Sequence, residues 1–110
     1  MSCKRINIRQ KKVLKELIHF GRREYREKKP IQIQIVQTKG TTFLTRGILP
    51  SLIIKEHQFI QYVVLAEYID VYRLYLFDIK GTLLGAENVE KKIPLLEKLS
   101  KSSKTLYHIP

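Results

Sequence analysis

Residues 59–79 leave this chain little freedom. FIQYVVLAEYID (59–70) and VYRLYLFDI (71–79) run together almost without a break, and both are apolar at odd and even positions alike. Strands rich in β-branched and aromatic residues on both faces belong in the middle of a sheet that is covered on both sides. The chain therefore needs strands to flank this pair and an amphipathic element to lie over it.

IQIQIVQ (31–37) supplies the clearest flank. Ile31, Ile33 and Ile35 alternate with Gln32 and Gln34, a period of two. Thr38-Lys39-Gly40 reads as a turn, and TTFLTRGIL (41–49) as the return strand of a hairpin with Gly47 at a bulge or bend. Leu52 to Lys55 and Thr82 to Leu84 read as short strands, and Thr105 to Ile109 as a last edge strand or tail.

The covering element is written in residues 9–28. At about 100° per residue, Val13, Leu14, Leu17, Ile18, Phe20 and Tyr25 share one broad arc with Gly21 among them. Lys12, Lys15, His19, Arg22, Arg26 and Lys29 fall roughly opposite, and Glu16, Glu24 and Glu27 are expected on one flank. Gly21 either ends a shorter helix at Phe20 or permits close packing on the sheet. Pro30 ends the helix in either case, because the residue before proline disfavours helical angles. ENVEKKIPLLEKLSKS (87–102) reads as a second helix, starting at Ile93 or Pro94 and using Leu95, Leu96 and Leu99 as its apolar side.

The expected fold is α+β. A basic N-terminal helix packs on a mainly antiparallel sheet of four to six strands, and a C-terminal helix is added. One domain over residues 1–110 fits this length, with residues 1–8 as a flexible basic arm.

Charge is distributed unevenly over that fold. The net charge is +11, and the first thirty residues hold eleven cations against three acids. Residues 31–80 are nearly neutral, with five cations against four acids. A basic helix in front of a near-neutral body points to an anionic partner. Cations three and four apart on one helix face meet successive phosphates and release their counterions. Arg9, Lys12, Lys15, Arg22, Arg23, Arg26 and Lys29 are the candidate nucleic-acid-binding residues. The expected function is non-enzymatic binding of DNA or RNA through phosphate contacts. An interaction module or inhibitor that docks on an acidic protein is the alternative, and a small enzyme is a third reading. A homodimer is also among the expected partners, because strands 59–79 offer an apolar self-association surface.

Other chemistries find little purchase. Cys3 is the lone cysteine, so neither an intrachain disulfide nor a cysteine metal cluster forms, and no metal or cofactor is expected. MSCKRINIRQKK lacks the apolar core of a secretion signal, and no run is long enough to span a bilayer. The expected location is cytoplasmic. The six tyrosines read as packing residues, with Tyr72 beside Arg73 the strongest candidate for a base-stacking role. Phe77-Asp78-Ile79-Lys80-Gly81-Thr82-Leu83-Leu84 resembles the first motif of haloacid-dehalogenase-type phosphatases, which would make Asp78 a nucleophile. Lys80 replaces that family's second aspartate, so Asp78 to Gly81 reads instead as a hairpin turn. The order of a helix followed by five strands is loosely similar to that of Sm-like small barrels, which bind RNA as rings. None of that family's sequence motifs is present.

Overall fold

One long helix precedes the sheet on which it rests. The computed structural model describes residues 8–38, 60–91 and 103–110. Helix α1 runs Ile8–Lys28, and its buried residues are Val13, Leu17, Gly21 and Glu24. It passes through Gly21 without stopping. A Cβ placed on Gly21 would lie 3.4 Å from Ile33 Cγ2 and 3.8 Å from Ile35 Cδ1, so the missing side chain brings the helix close to the sheet. The helix ends as its sequence dictates. The Lys29 amide donates to the Tyr25 carbonyl at 3.0 Å, Lys29 turns into the left-handed region at φ 48°, and Pro30 blocks continuation.

Five strands make up the sheet: β1 Gln32–Thr38, β2 Tyr62–Glu67, β3 Val71–Phe77, β4 Leu83–Glu90 and β5 Ser103–Ile109. All neighbours are antiparallel, in the order β4-β3-β2-β1-β5. The expected strands at 31–37, 59–70, 71–79 and 105–109 correspond to β1, β2, β3 and β5, with β5 at an edge. The expected strand and turn segments within 38–58 lie largely outside the described residues.

Alternation along each strand sorts the core into two layers. Ile33, Ile35, Tyr62, Val64, Ala66, Tyr75 and Phe77 pack with Val13 and Leu17 of α1. Val36, Val63, Leu65, Tyr72, Leu74, Leu76 and Val89 form the second layer on the opposite face. Both layers are dry: Val63, Val64 and Leu74 have no exposed surface. Most side chains of β2 and β3 are thus buried within one copy, with Glu67, Val71 and Arg73 half-buried. Tyr72 is buried as a packing residue, not a stacking platform.

Two register shifts adjust the edges. Leu84 is skipped between the pairs Leu76–Gly85 and Phe77–Leu83, so Leu84 and Val89 reach the same core layer despite opposite parity. Leu106 is skipped between Ile35–Tyr107 and Val36–Thr105, so Leu106 and Tyr107 both pack toward the helix side.

The segment 87–102, read as a C-terminal helix, needs correction at its first four residues. Residues 87–90 belong to β4, hydrogen-bonded along β3, where Val89 pairs with Tyr72 and Ala86 with Tyr75. The composition of LLGAENVE favours a helix, but the open edge of β3 and the burial of Val89 override that weak local preference. Residues 92–102, the rest of the expected helix, lie outside the described residues.

Two glycines should respond in opposite directions to alanine. At Gly21 the new methyl meets ordinary contacts, and the helix gains up to about 1 kcal/mol of propensity. Gly81 has φ 86°, and a Cβ there would approach Val13 Cγ1 to 3.3 Å. Gly81→Ala should lose roughly 1–2 kcal/mol through backbone strain and crowding. Urea unfolding of the two variants checks both signs.

Candidate functional site

The exposed side of α1 is mostly cationic, with Glu16 and Glu27 exposed along one flank. The buried arc, Val13, Leu17, Gly21 and Glu24, faces the sheet. Lys12, Lys15, His19, Arg22 and Arg26 lie on the other side and are exposed, as are Arg9, Lys11 and Arg23. The helix is about 32 Å long at its 21 residues. Lys29 is exposed too, but it stands past the last helical residue and leaves the helical spiral. The seven residues expected from sequence thus share one side of the chain's first element, with Lys29 set apart at its end.

Their charge is not neutralised locally. Ion pairs between described residues join Lys28 to Glu24 at 3.5 Å and Lys91 to Glu67 at 2.7 Å, and include none of the seven. Two of the arginines rest on aromatic rings instead. Arg22 donates from a terminal nitrogen to the Tyr107 hydroxyl at 2.8 Å and lies 5.8 Å from that ring's centroid. Arg23 lies 5.6 Å from the Phe20 centroid, and Phe20 in turn meets the rings of Tyr75 and Phe77 edge-on at 4.9 and 5.4 Å. Neutral partners of this kind orient a guanidinium without consuming its charge.

Glu24 is the main departure from expectation. It does not flank the basic arc with Glu16 and Glu27; it is buried, with 7% of its surface exposed. At about 100° per residue it falls between Val13 and Leu17, so helical geometry sends it into the core. Two hydroxyls meet it there: Tyr68 donates to Oε2 at 3.0 Å and Tyr75 to the same atom at 2.5 Å. Tyr75 accepts from Arg73 Nε at 3.0 Å, and another nitrogen of Arg73 donates to Asn88 Oδ1 at 2.8 Å. This chain of hydrogen bonds ties α1 to β3 and β4. Burial pushes the Tyr68 and Tyr75 hydroxyls above the usual tyrosine range, and donation to Glu24 adds to it. The Glu24 charge likewise raises Lys28. The network takes Glu24 into the core, while Glu16 and Glu27 stay exposed on the helix.

A second cationic feature lies at the other end of the helix. A cleft of about 440 Å³ is lined by Arg9, Lys12, Val13 and Glu16 of α1 and by Lys80 of the β3–β4 turn. The turn is tightly specified. Asp78 Oδ1 accepts from the amides of Lys80 and Thr82, each at 2.9 Å, and the Gly81 amide donates to the Asp78 carbonyl at 3.0 Å. Asp78 thus serves the hairpin turn expected for it. Among the described residues, no group of three or more histidine, cysteine or acidic side chains is placed to hold a metal ion. No described helix is long and apolar enough to cross a membrane.

Comparison with known proteins leaves the reading to the residues themselves: no family model, curated protein or solved structure matches the chain.

Lys80 and Arg73 escape a reading of the sequence. Nothing in the local pattern shows that the β3–β4 turn docks against the start of α1. A hint is present in Gly81, whose contact with Val13 and Glu16 leaves little room for a side chain.

Proposed function

We propose that this protein binds nucleic acid without catalysing a reaction on it, using the outer side of α1 as a phosphate-binding face. One observation carries the reading: Lys12, Lys15, Arg22 and Arg26 line up on the exposed side of one helix, and no described acid is ion-paired to any of them. Lys12 and Lys15 stand roughly 5–6 Å apart, as do Arg22 and Arg26, and about 10 Å along the axis separates the two pairs. An array of that kind attracts a polyanion and gains its affinity from released counterions. Phosphate contacts carry no sequence information, so little sequence preference is expected. Arg9 and Arg23 contribute at the margins, and Lys29 extends the face beyond the helix end.

The first test is a fluorescence-anisotropy titration with labelled duplex DNA, single-stranded DNA and RNA in low salt. Saturable binding to at least one of them is expected, and the strongest binder names the nucleic acid. Failure of all three would overturn the reading and leave docking on an acidic protein as the better account of the same face.

A further inference from the structure

Building on the nucleic-acid reading, we infer that the cleft between the start of α1 and the β3–β4 turn seats one backbone phosphate of the bound strand, with Arg9, Lys12 and Lys80 as its ligands. The three cations come from two separate elements and line one cleft, yet none of their side chains is ion-paired to a described acid. Like charges gathered in one concavity repel each other until an anion enters. The arrangement is held from both sides. Val13 is buried and anchors the helix wall. The Asp78 carboxylate holds the Lys80 amide, and Gly81 backs directly onto Val13 and Glu16. Lys80 is therefore presented to the helix by a turn with little room to withdraw.

The cleft gives the basic face a direction. Lys12 belongs both to the exposed arc of α1 and to the cleft wall, so a strand lying along the helix passes from Arg26 and Arg22 to Lys15 and Lys12. It then leaves the helix over Lys80. Glu16 lines the same cleft and opposes the anion. That opposition is useful, because it predicts a variant with tighter binding.

The test uses the full chain and a fluorescein-labelled oligonucleotide, single-stranded and duplex, across a salt series. Lys80→Gln should flatten the slope of log affinity against log salt by about 0.9 on duplex, or about 0.7 on a single strand. Glu16→Gln should tighten binding severalfold. Two controls change net charge equally elsewhere. Lys104→Gln lies on β5, three strand spacings from β3 and outside the cleft lining. Asp70→Asn lies between β2 and β3, at the opposite end of the sheet. Both controls lie outside the cleft lining, so each should change the slope by less than Lys80→Gln does. Lys80 is exposed and keeps its amide bond to Asp78 in the variant, so the fold is preserved. Steep, salt-dependent binding by the parent with an unchanged slope in Lys80→Gln would overturn the cleft assignment alone. Absence of binding by the parent would overturn the nucleic-acid reading and the cleft assignment with it.

Discussion

Replacing Arg22 and Arg26 together by glutamate should abolish nucleic-acid binding and leave the fold standing. The two arginines are one turn apart on the exposed side of α1, and neither is ion-paired to a described residue. The double change removes two phosphate contacts and places two negative charges against the phosphates. Opposed charges of this kind cost several kcal/mol at an interface; a loss of roughly 3 kcal/mol is about two orders of magnitude in affinity. The structural cost is small. Arg22 gives up its bond to the exposed Tyr107 hydroxyl, and exposed contacts of that type contribute about 1 kcal/mol or less. Anisotropy measures the binding loss, and thermal unfolding shows that the variant remains folded. Unchanged affinity in the double variant would remove the helix face from the account.

The largest loss of stability is expected at Glu24. Glu24→Ala leaves the buried Tyr75 hydroxyl and the half-buried Tyr68 hydroxyl without their acceptor. A buried polar group stripped of its partner costs about 1–3 kcal/mol, so the two together put the variant roughly 3–5 kcal/mol below the parent. Removing the whole network should be milder than breaking it. A triple variant with Glu24→Leu, Tyr68→Phe and Tyr75→Phe leaves no orphaned hydroxyl and should recover part of the loss, with Arg73 Nε left without its acceptor. The same tyrosines make a prediction about pH. Their folded values lie above the ordinary value of 10.0, so the folded state holds their protons more tightly than the unfolded chain does. Their contribution is fully present below pH 10 and is lost as pH rises toward the folded values. Stability should therefore fall above pH 10, and less steeply in Tyr75→Phe. Urea unfolding at several alkaline pH values reads both effects.

The two variants bear on one design. Glu24 lies on the core side of α1, so its charge is spent on the tyrosine hydroxyls and not on the outer cations. An acid at position 24 would read from sequence as one more surface charge. Its place in the helical spiral, between Val13 and Leu17, is what decides otherwise.

That residue marks where sequence reading succeeds and where it fails. α1, β1 and the central pair β2–β3 are legible because periodicity and double-sided apolarity are local properties, and Pro30 fixes the helix end. The exposed cationic arc is legible for the same reason. β4 is legible only at its start, where Thr82 to Leu84 reads as a short strand; GAENVE carries Ala and Glu and continues as a strand along the edge of β3. Lys80 is hidden because its role depends on a turn docking against a helix far earlier in the chain. Arg73 stands out in the sequence only as a neighbour of Tyr72. Its bonds to Tyr75 and Asn88 arise from strand parity combined with the register of β4.

The central claim is that the outer side of α1 binds phosphates by charge. The most direct measurement is the slope of log affinity against log salt, taken for the parent and for the Arg22→Glu, Arg26→Glu variant on the tightest-binding nucleic acid. On duplex each neutralised phosphate contributes about −0.9 to that slope. The account predicts a steep parent slope of several such contacts, flattened by about 1.8 in any residual binding by the variant. A parent slope near zero, or equal slopes in the two proteins, would contradict it.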